Sequence, residues 1–331
     1  MRVAPDARQS AEERTVLVGM TRSALARAGL AVTPAEAAHP AVVEIAHLAQ
    51  RVVRAGTPDP ERLGRLGRML DRVRADVTGP SPYAAARSVE PYAAARSVEP
   101  AAPAPHLERS VARARKSLPA RDDDAGKPRE SAVVAWREHD RESLRETVAL
   151  LTAVWPEAWA ELAEVLLQVA LLDGSAIDGF TDFGVHGAVF VHRGRLGPGR
   201  DGLPGPVRLA EALVHEGAHT RCNAASVATA PFLLPAQGEA QLVATPLRID
   251  PRPLTGLFQQ VVVLARSMML YERVLDSGKQ GPASAAVRLR RDELARDALA
   301  GVRTLMDHCD ALTGHGMSVL EDAARVAGIS V

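Results

Sequence analysis

Val207-Arg-Leu-Ala-Glu-Ala-Leu-Val-His-Glu-Gly-Ala-His-Thr-Arg-Cys222 reads as one helix whose centre spells H-E-x-x-H at His215, Glu216 and His219. Residues four apart share a helix face, so the two imidazoles aim at one point, and that point can hold a metal ion. Glu216 follows the first His on nearly the same side, where it can take a proton from a metal-bound water or support the ligands from behind. Gly205-Pro206 places a Pro at the first helical turn, where its missing N–H costs nothing. Gly217 costs about 1 kcal/mol of helix propensity relative to Ala, which implies close approach by another backbone or a bound ligand. Cys222, three residues past His219, reads as a small buried hydrophobe.

Around this helix the chain is long, 331 residues, so it can bury a substantial core without staples. Lys plus Arg number 40 against 40 Asp plus Glu, a formal balance that points away from nucleic acid and anionic membranes as partners. Hydrophobic residues make up 47% and aromatic residues 3%, so the expected core is aliphatic and offers few platforms for stacking bases. Two cysteines, Cys222 and Cys309, form no disulfide framework, which fits a reducing cytoplasm. The first residues lack the apolar run of a signal peptide, and no apolar stretch approaches the roughly 20 residues of a membrane span. The expectation is a soluble cytoplasmic protein.

Apolar spacing divides the chain into three parts. Residues 1–77 form an N-terminal helical region, with helices expected over Ala11–Gly29, Ala41–Ala55 and Glu61–Asp76. His39 and His47 there have no spaced partner and read as packing or surface residues. Residues 78–130 read as a Pro/Ala-rich linker, in which Pro82-Tyr-Ala-Ala-Ala-Arg-Ser-Val-Glu90 is repeated unchanged as residues 91–99. Residues 131–331 form the domain that carries H-E-x-x-H. Ser131 to Leu172 has helical spacing broken at Pro156, with Trp155 and Trp159 wedging helices together. After Asp173-Gly174, the stretch Gly184-Val-His-Gly-Ala-Val-Phe-Val-His192 reads as a short strand, whose alternation puts His186 and His192 on one face; each reads first as a partly exposed strand residue and second as a neighbour of the site. The predicted fold is therefore mainly α, a multi-helix domain with a small β element next to the H-E-x-x-H helix.

A metal site needs at least a third ligand. Glu239 lies downstream at a distance that lets a second helix or loop return a carboxylate, and Asp250 is the other nearby acid. No further His follows His219 at the spacing of metzincin peptidases. In Thr245-Pro-Leu-Arg-Ile-Asp-Pro-Arg-Pro253 the prolines stiffen the backbone, so Arg248 and Arg252 are presented rigidly, as bidentate capture of a carboxylate requires. Gln259 and Arg266, seven apart on the following helix, share a face and can look toward the same pocket.

Taken together, "GVHGAVFV", "LAEALVHEGAH" and "TPLRIDPRPLTGLFQQVVVLARSMM" resemble the HExxH-motif proteins of peptide-modification clusters, which occur alone or fused to radical SAM enzymes. The resemblance covers about residues 140 to 275. It implies an iron(II), 2-oxoglutarate-dependent β-hydroxylase acting on a ribosomally made precursor peptide, with a radical SAM enzyme as a possible partner. On that analogy His215 and His219 bind iron and Arg248 or Arg252 holds the 2-oxoglutarate carboxylate. Members of that family usually carry a His where this chain has Gln259, so the third ligand stays open among Glu239, Asp250 and Gln259. Two other readings of the same residues stand beside it. One is a zinc peptidase with Glu216 as general base, and the other a non-catalytic peptide-binding relative with a degenerate metal site.

Overall fold

The structure, a computed structural model, describes residues 1–56, 59–78, 98–118, 130–234, 238–245, 248–278 and 283–329. In chain order the elements are α1 (Ala7–Arg27), α2 (Pro34–Ala37), α3 (Pro40–Arg54), α4 (Pro60–Thr78), β1 (Glu99–Ala101), α5 (Pro105–Lys116), β2 (Ser131–Val134), α6 (Glu138–Val154), α7 (Pro156–Val165), β3 (Gln168–Gly174), β4 (Gly179–Thr181) and β5 (Ala188–His192). They continue with α8 (Gly205–Ala228), β6 (Leu242–Thr245), β7 (Arg248–Pro253), α9 (Leu254–Asp276), α10 (Ser284–Met306) and α11 (Gly314–Val326). The molecule is mainly helical, and Pro in the first turn opens α2, α3, α5, α7 and α8. Among the described residues no helix is long and apolar enough to cross a membrane.

The β element is a five-stranded mixed sheet of order β1-β3-β5-β4, with β2 running antiparallel to the far half of β3. β3 and β5 are parallel and central, and β4 is an antiparallel edge strand. Alternation in the two central strands divides the core. Val169, Leu171, Val189 and Val191 meet Leu209, Ala210 and Leu213 of α8. Ala170, Leu172, Ala188 and Phe190 meet Leu107 and Val111 of α5. A strand buried on both faces is apolar throughout, as Val169 to Leu172 is, so it carries no period that separates strand from helix.

That ambiguity corrects the sequence expectation, because residues 168–174 and 131–134 are strands and not helix. The strand expected over 184–192 is also shorter. Phe183–Val185 is a 3-10 turn and Gly187 has φ 95°, so His186 precedes β5 while His192 ends it. The linker expected over 78–130 contains β1 and α5, both integral to the sheet and its cover. Of the tandem repeat, Val98 and Glu99 are described and the rest lies outside the described residues.

The N-terminal region shares the core of the remainder. α1 packs on α7 and α8 as well as on α3. Its Glu13 accepts a hydrogen bond from Arg221 of α8, a guanidinium that is fully buried. Arg221 also lies 3.4 Å from Glu161 of α7, and Glu161 in turn pairs with Arg266 of α9. Arg266 donates to the Val3 carbonyl at 2.8 Å. Four buried charges thus tie α1, α7, α8 and α9 together and leave none of them isolated.

Candidate functional site

α8 carries H-E-x-x-H through the middle of the molecule. Its Leu209, Ala210, Leu213 and Val214 are buried beneath the sheet, whereas His215 and His219 are only half-buried. The helical spacing brings the two rings to a centroid separation of 5.1 Å at an interplanar angle of 62°. One turn further along the same face stands Asn223. α9 crosses here and supplies Gln259, whose Oε1 lies 2.8 Å from His219 Nδ1 and whose Nε2 donates to Asn223 Oδ1 at 3.1 Å.

Glu216 points elsewhere. Its carboxylate is buried beneath β4, where Thr181 donates to Oε2 at 2.7 Å. Gly179 provides the room, since a Cβ there would stand 3.1 Å from Glu216 Oε1. Burial pushes the carboxyl up to about 7, against the opposing pull of the Thr181 hydroxyl and the Arg195 charge. The group therefore exchanges a proton near neutrality while bracing the helix against the sheet edge. Gly217 is explained by packing: a Cβ there would fall 2.2 Å from Leu162 Cδ2, so the close neighbour is a side chain of α7 and not a backbone or ligand.

Beside Gln259 opens a groove lined by Phe232, Leu233, Leu234, Phe258, Glu239 and Thr255 among others. The Phe232 and Phe258 rings stack with centroids 4.7 Å apart. Glu239 is exposed on the groove and accepts from Thr255 at 2.9 Å, one turn before Gln259 on α9. Arg252 is half-buried on β7, and its Cβ lies 3.7 Å from where a side chain would begin at Gly256, a residue that lines the groove. The side chains of Arg248 and Asp250 lie outside the described residues.

Two imidazoles on one helix face are the donor type that a first-row transition ion takes, and they fit it as a two-histidine half-site. Among the described residues no group of three or more His, Cys, Asp and Glu side chains is placed to hold a metal ion, so Glu239 does not join the pair as the expected third ligand. Three further expectations change. Arg266, read as facing the same pocket as Gln259, belongs to the buried ion network. His192 caps its own turn, taking the Gly194 N–H at 3.0 Å, with Nε2 2.9 Å from the Gly174 carbonyl. His186 lies in the packing between α1, α3 and α7, and burial pushes its imidazole down to about 4.

Sequence reading missed Asn223 and Thr181. Asn223 follows His219 by one more helical repeat and was visible in the spacing; Thr181 carried no local signal, because only the β4–α8 contact gives it a partner. No protein-family model matches this chain, and no curated protein matches it.

Proposed function

We propose that this chain is an iron(II), 2-oxoglutarate-dependent oxygenase that hydroxylates a side-chain β-carbon of a ribosomally made peptide. The observation that carries the reading is the pair His215 and His219, presented side by side on α8, with Gln259 joining His219 to the groove beyond it. Iron with a 2-oxo acid supplies the C–H oxidation, chemistry that no side chain of the protein performs. His215 and His219 would supply two of the ligands that such an ion requires.

The remaining work falls to the chain's own residues. Arg252, on the stiff Asp250-Pro-Arg-Pro253 backbone beside Gly256, would be the residue to hold a carboxylate. Leu234, exposed on the groove above the buried Phe232 and Phe258, offers apolar surface to a stretch of peptide. Glu216, held by the Thr181 hydroxyl under β4, fixes the rotation of α8, and with it the aim of both imidazoles.

The second reading is a zinc peptidase, in which Glu216 would have to leave the Thr181 hydroxyl beneath β4 to reach a metal-bound water. One experiment separates the two. Protein purified without oxygen is loaded with Fe(II) and incubated with 2-oxoglutarate, oxygen and candidate precursor peptides. The expected result is consumption of 2-oxoglutarate and a peptide heavier by one oxygen atom, both lost in His215→Ala and His219→Ala. Peptide cleavage with zinc and indifference to oxygen establishes the peptidase instead. Peptide binding that survives His215→Ala, with no chemistry in any metal form, establishes a binding protein.

A further inference from the structure

The groove beside Gln259 is apolar along most of its length. Phe232, Leu233 and Phe258 are buried beneath it, and Leu234 stands out on its lining with 41% of its surface exposed. Among the described residues Glu239 is the only charged side chain on that lining, and it faces solvent. One of its oxygens accepts from the Thr255 hydroxyl at 2.9 Å. Among the described residues no Lys, Arg or His forms an ion pair with it. The carboxylate is also fixed in place. A Cβ at Gly238 would stand 2.9 Å from Thr255 Cγ2 and 3.1 Å from Leu233 Cβ, so the backbone just before Glu239 lies directly on α9. Thr255 and Gln259 are four apart on α9, about 6 Å along its axis, which is less than the span of two residues of extended peptide. One short segment can therefore reach both the carboxylate and Gln259.

We propose that this groove selects a peptide segment in which a Lys or Arg stands beside an aliphatic residue, the cation pairing with Glu239 and the aliphatic side chain lying on Leu234. A lone exposed carboxylate at an apolar lining attracts a cation whose own stem is apolar, and it repels an acidic peptide or a phosphate chain. The proposal rests on the reading of the substrate as a peptide and names what the chain recognises in it. No metal enters the argument.

The test uses the full chain without added metal, so that it reads binding and not turnover. Four fluorescein-labelled Gly/Ser dodecapeptides carry Leu beside Lys, Leu beside Nε-acetyllysine, Leu beside Glu, and Ser beside Lys, and their binding is followed by fluorescence polarisation at low salt. The Leu-Lys peptide should bind about 2- to 5-fold more tightly than its acetyllysine counterpart, the scale of an exposed ion pair, and by a larger factor than the Glu peptide. That preference should fade in about 0.5 M salt. Glu239→Gln should erase it, and Glu239→Lys should invert it in favour of the Glu peptide. Leu234→Ser should bring the Leu-Lys peptide down to the level of the Ser-Lys peptide. Both positions are exposed, so the variants should keep the circular dichroism of the unaltered protein. A Lys preference that survives Glu239→Gln overturns the proposal, as does equal binding of all four peptides or binding of none. Cadaverine that competes as well as the Leu-Lys peptide marks a site for small amines, and a dimer in sedimentation that Glu239→Lys abolishes marks a surface for a second copy; either result overturns it too. Peptide binding without a charge preference leaves the peptide-substrate reading standing. The oxygenase reading fails by a separate result, the absence of hydroxylated product, which does not alter the preference measured here.

Discussion

A single methyl group at position 217 tests how closely α8 is seated. Ala normally favours a helix over Gly by about 1 kcal/mol, but here its Cβ would overlap Leu162 Cδ2 at 2.2 Å in a packed core. Overlap wins over propensity, so Gly217→Ala should lower stability by about 1 to 2 kcal/mol in urea denaturation. In a Leu162→Ala background the same substitution should become stabilising, because the clash is gone and the propensity gain remains; a loss of the same size in both backgrounds refutes the packing explanation. Glu161 tests the buried charges. It serves both Arg221 and Arg266, so Glu161→Gln leaves the buried Arg266 without its carboxylate and Arg221 with Glu13 alone, and should cost about 3 to 5 kcal/mol. A loss below about 1 kcal/mol would show that the network is relaxed by water. Gly217 was visible in the sequence as an anomaly, but its cause was not, since Leu162 lies 55 positions away. Arg266 was misplaced for a similar reason: helical spacing puts it on a face without saying whether solvent or Glu161 meets that face.

α5 links two structures that the sequence kept apart. Its Arg109 and Arg113 both reach Glu44 of α3, and Arg113 also pairs with Asp182 ahead of the 3-10 turn. Around this junction cluster His39, His106 and Gln168, with His106 Nε2 3.0 Å from the Gln168 amide oxygen. Burial, followed by the neighbouring His106, pushes His39 down to about 4, and burial also lowers His106 and His47. The unfolded chain takes up protons near the ordinary imidazole value of about 6.5 while the folded protein refuses them. Stability is therefore complete above that value and is lost as pH falls toward 4, with His39 alone worth about 3 kcal/mol at about 1.4 kcal/mol per unit. His39→Asn keeps the cap on α3, where His39 Nδ1 now accepts the Ala41 N–H, and removes the titration. Thermal unfolding between pH 7 and pH 4 should show a shallower fall in Tm for His39→Asn, and parallel curves would count against the assignment. α5 was partly legible, since Leu107 and Val111 stand one helical repeat apart. The proline-rich run before it suggested a linker, because a short helix that meets its apolar partners only in the fold leaves a weak local signal.

The molecule as a whole is built across the boundaries that composition suggested. β1 pairs with β3, α5 covers the sheet, and α1 lies on α7 and α8 with Glu13 against Arg221. A fragment of residues 131–331 would expose these surfaces and strand a buried guanidinium. It should fail to give a cooperative unfolding transition and should aggregate on size-exclusion chromatography; a monomeric fragment that melts cooperatively would show that residues 131–331 fold independently. The helical character of most of the chain, its capping prolines and the shared face of His215 and His219 could be read directly from residue order, because a repeat of 3.6 residues relates only near neighbours. The pairing of β3 with β5, the turning of Glu216 beneath Thr181 and the meeting of His219 with Gln259 could not, since each joins residues from about 20 to 40 positions apart whose order carries no mutual periodicity. Those contacts arise when apolar faces are buried against one another, and it is that burial which places the polar groups of the site.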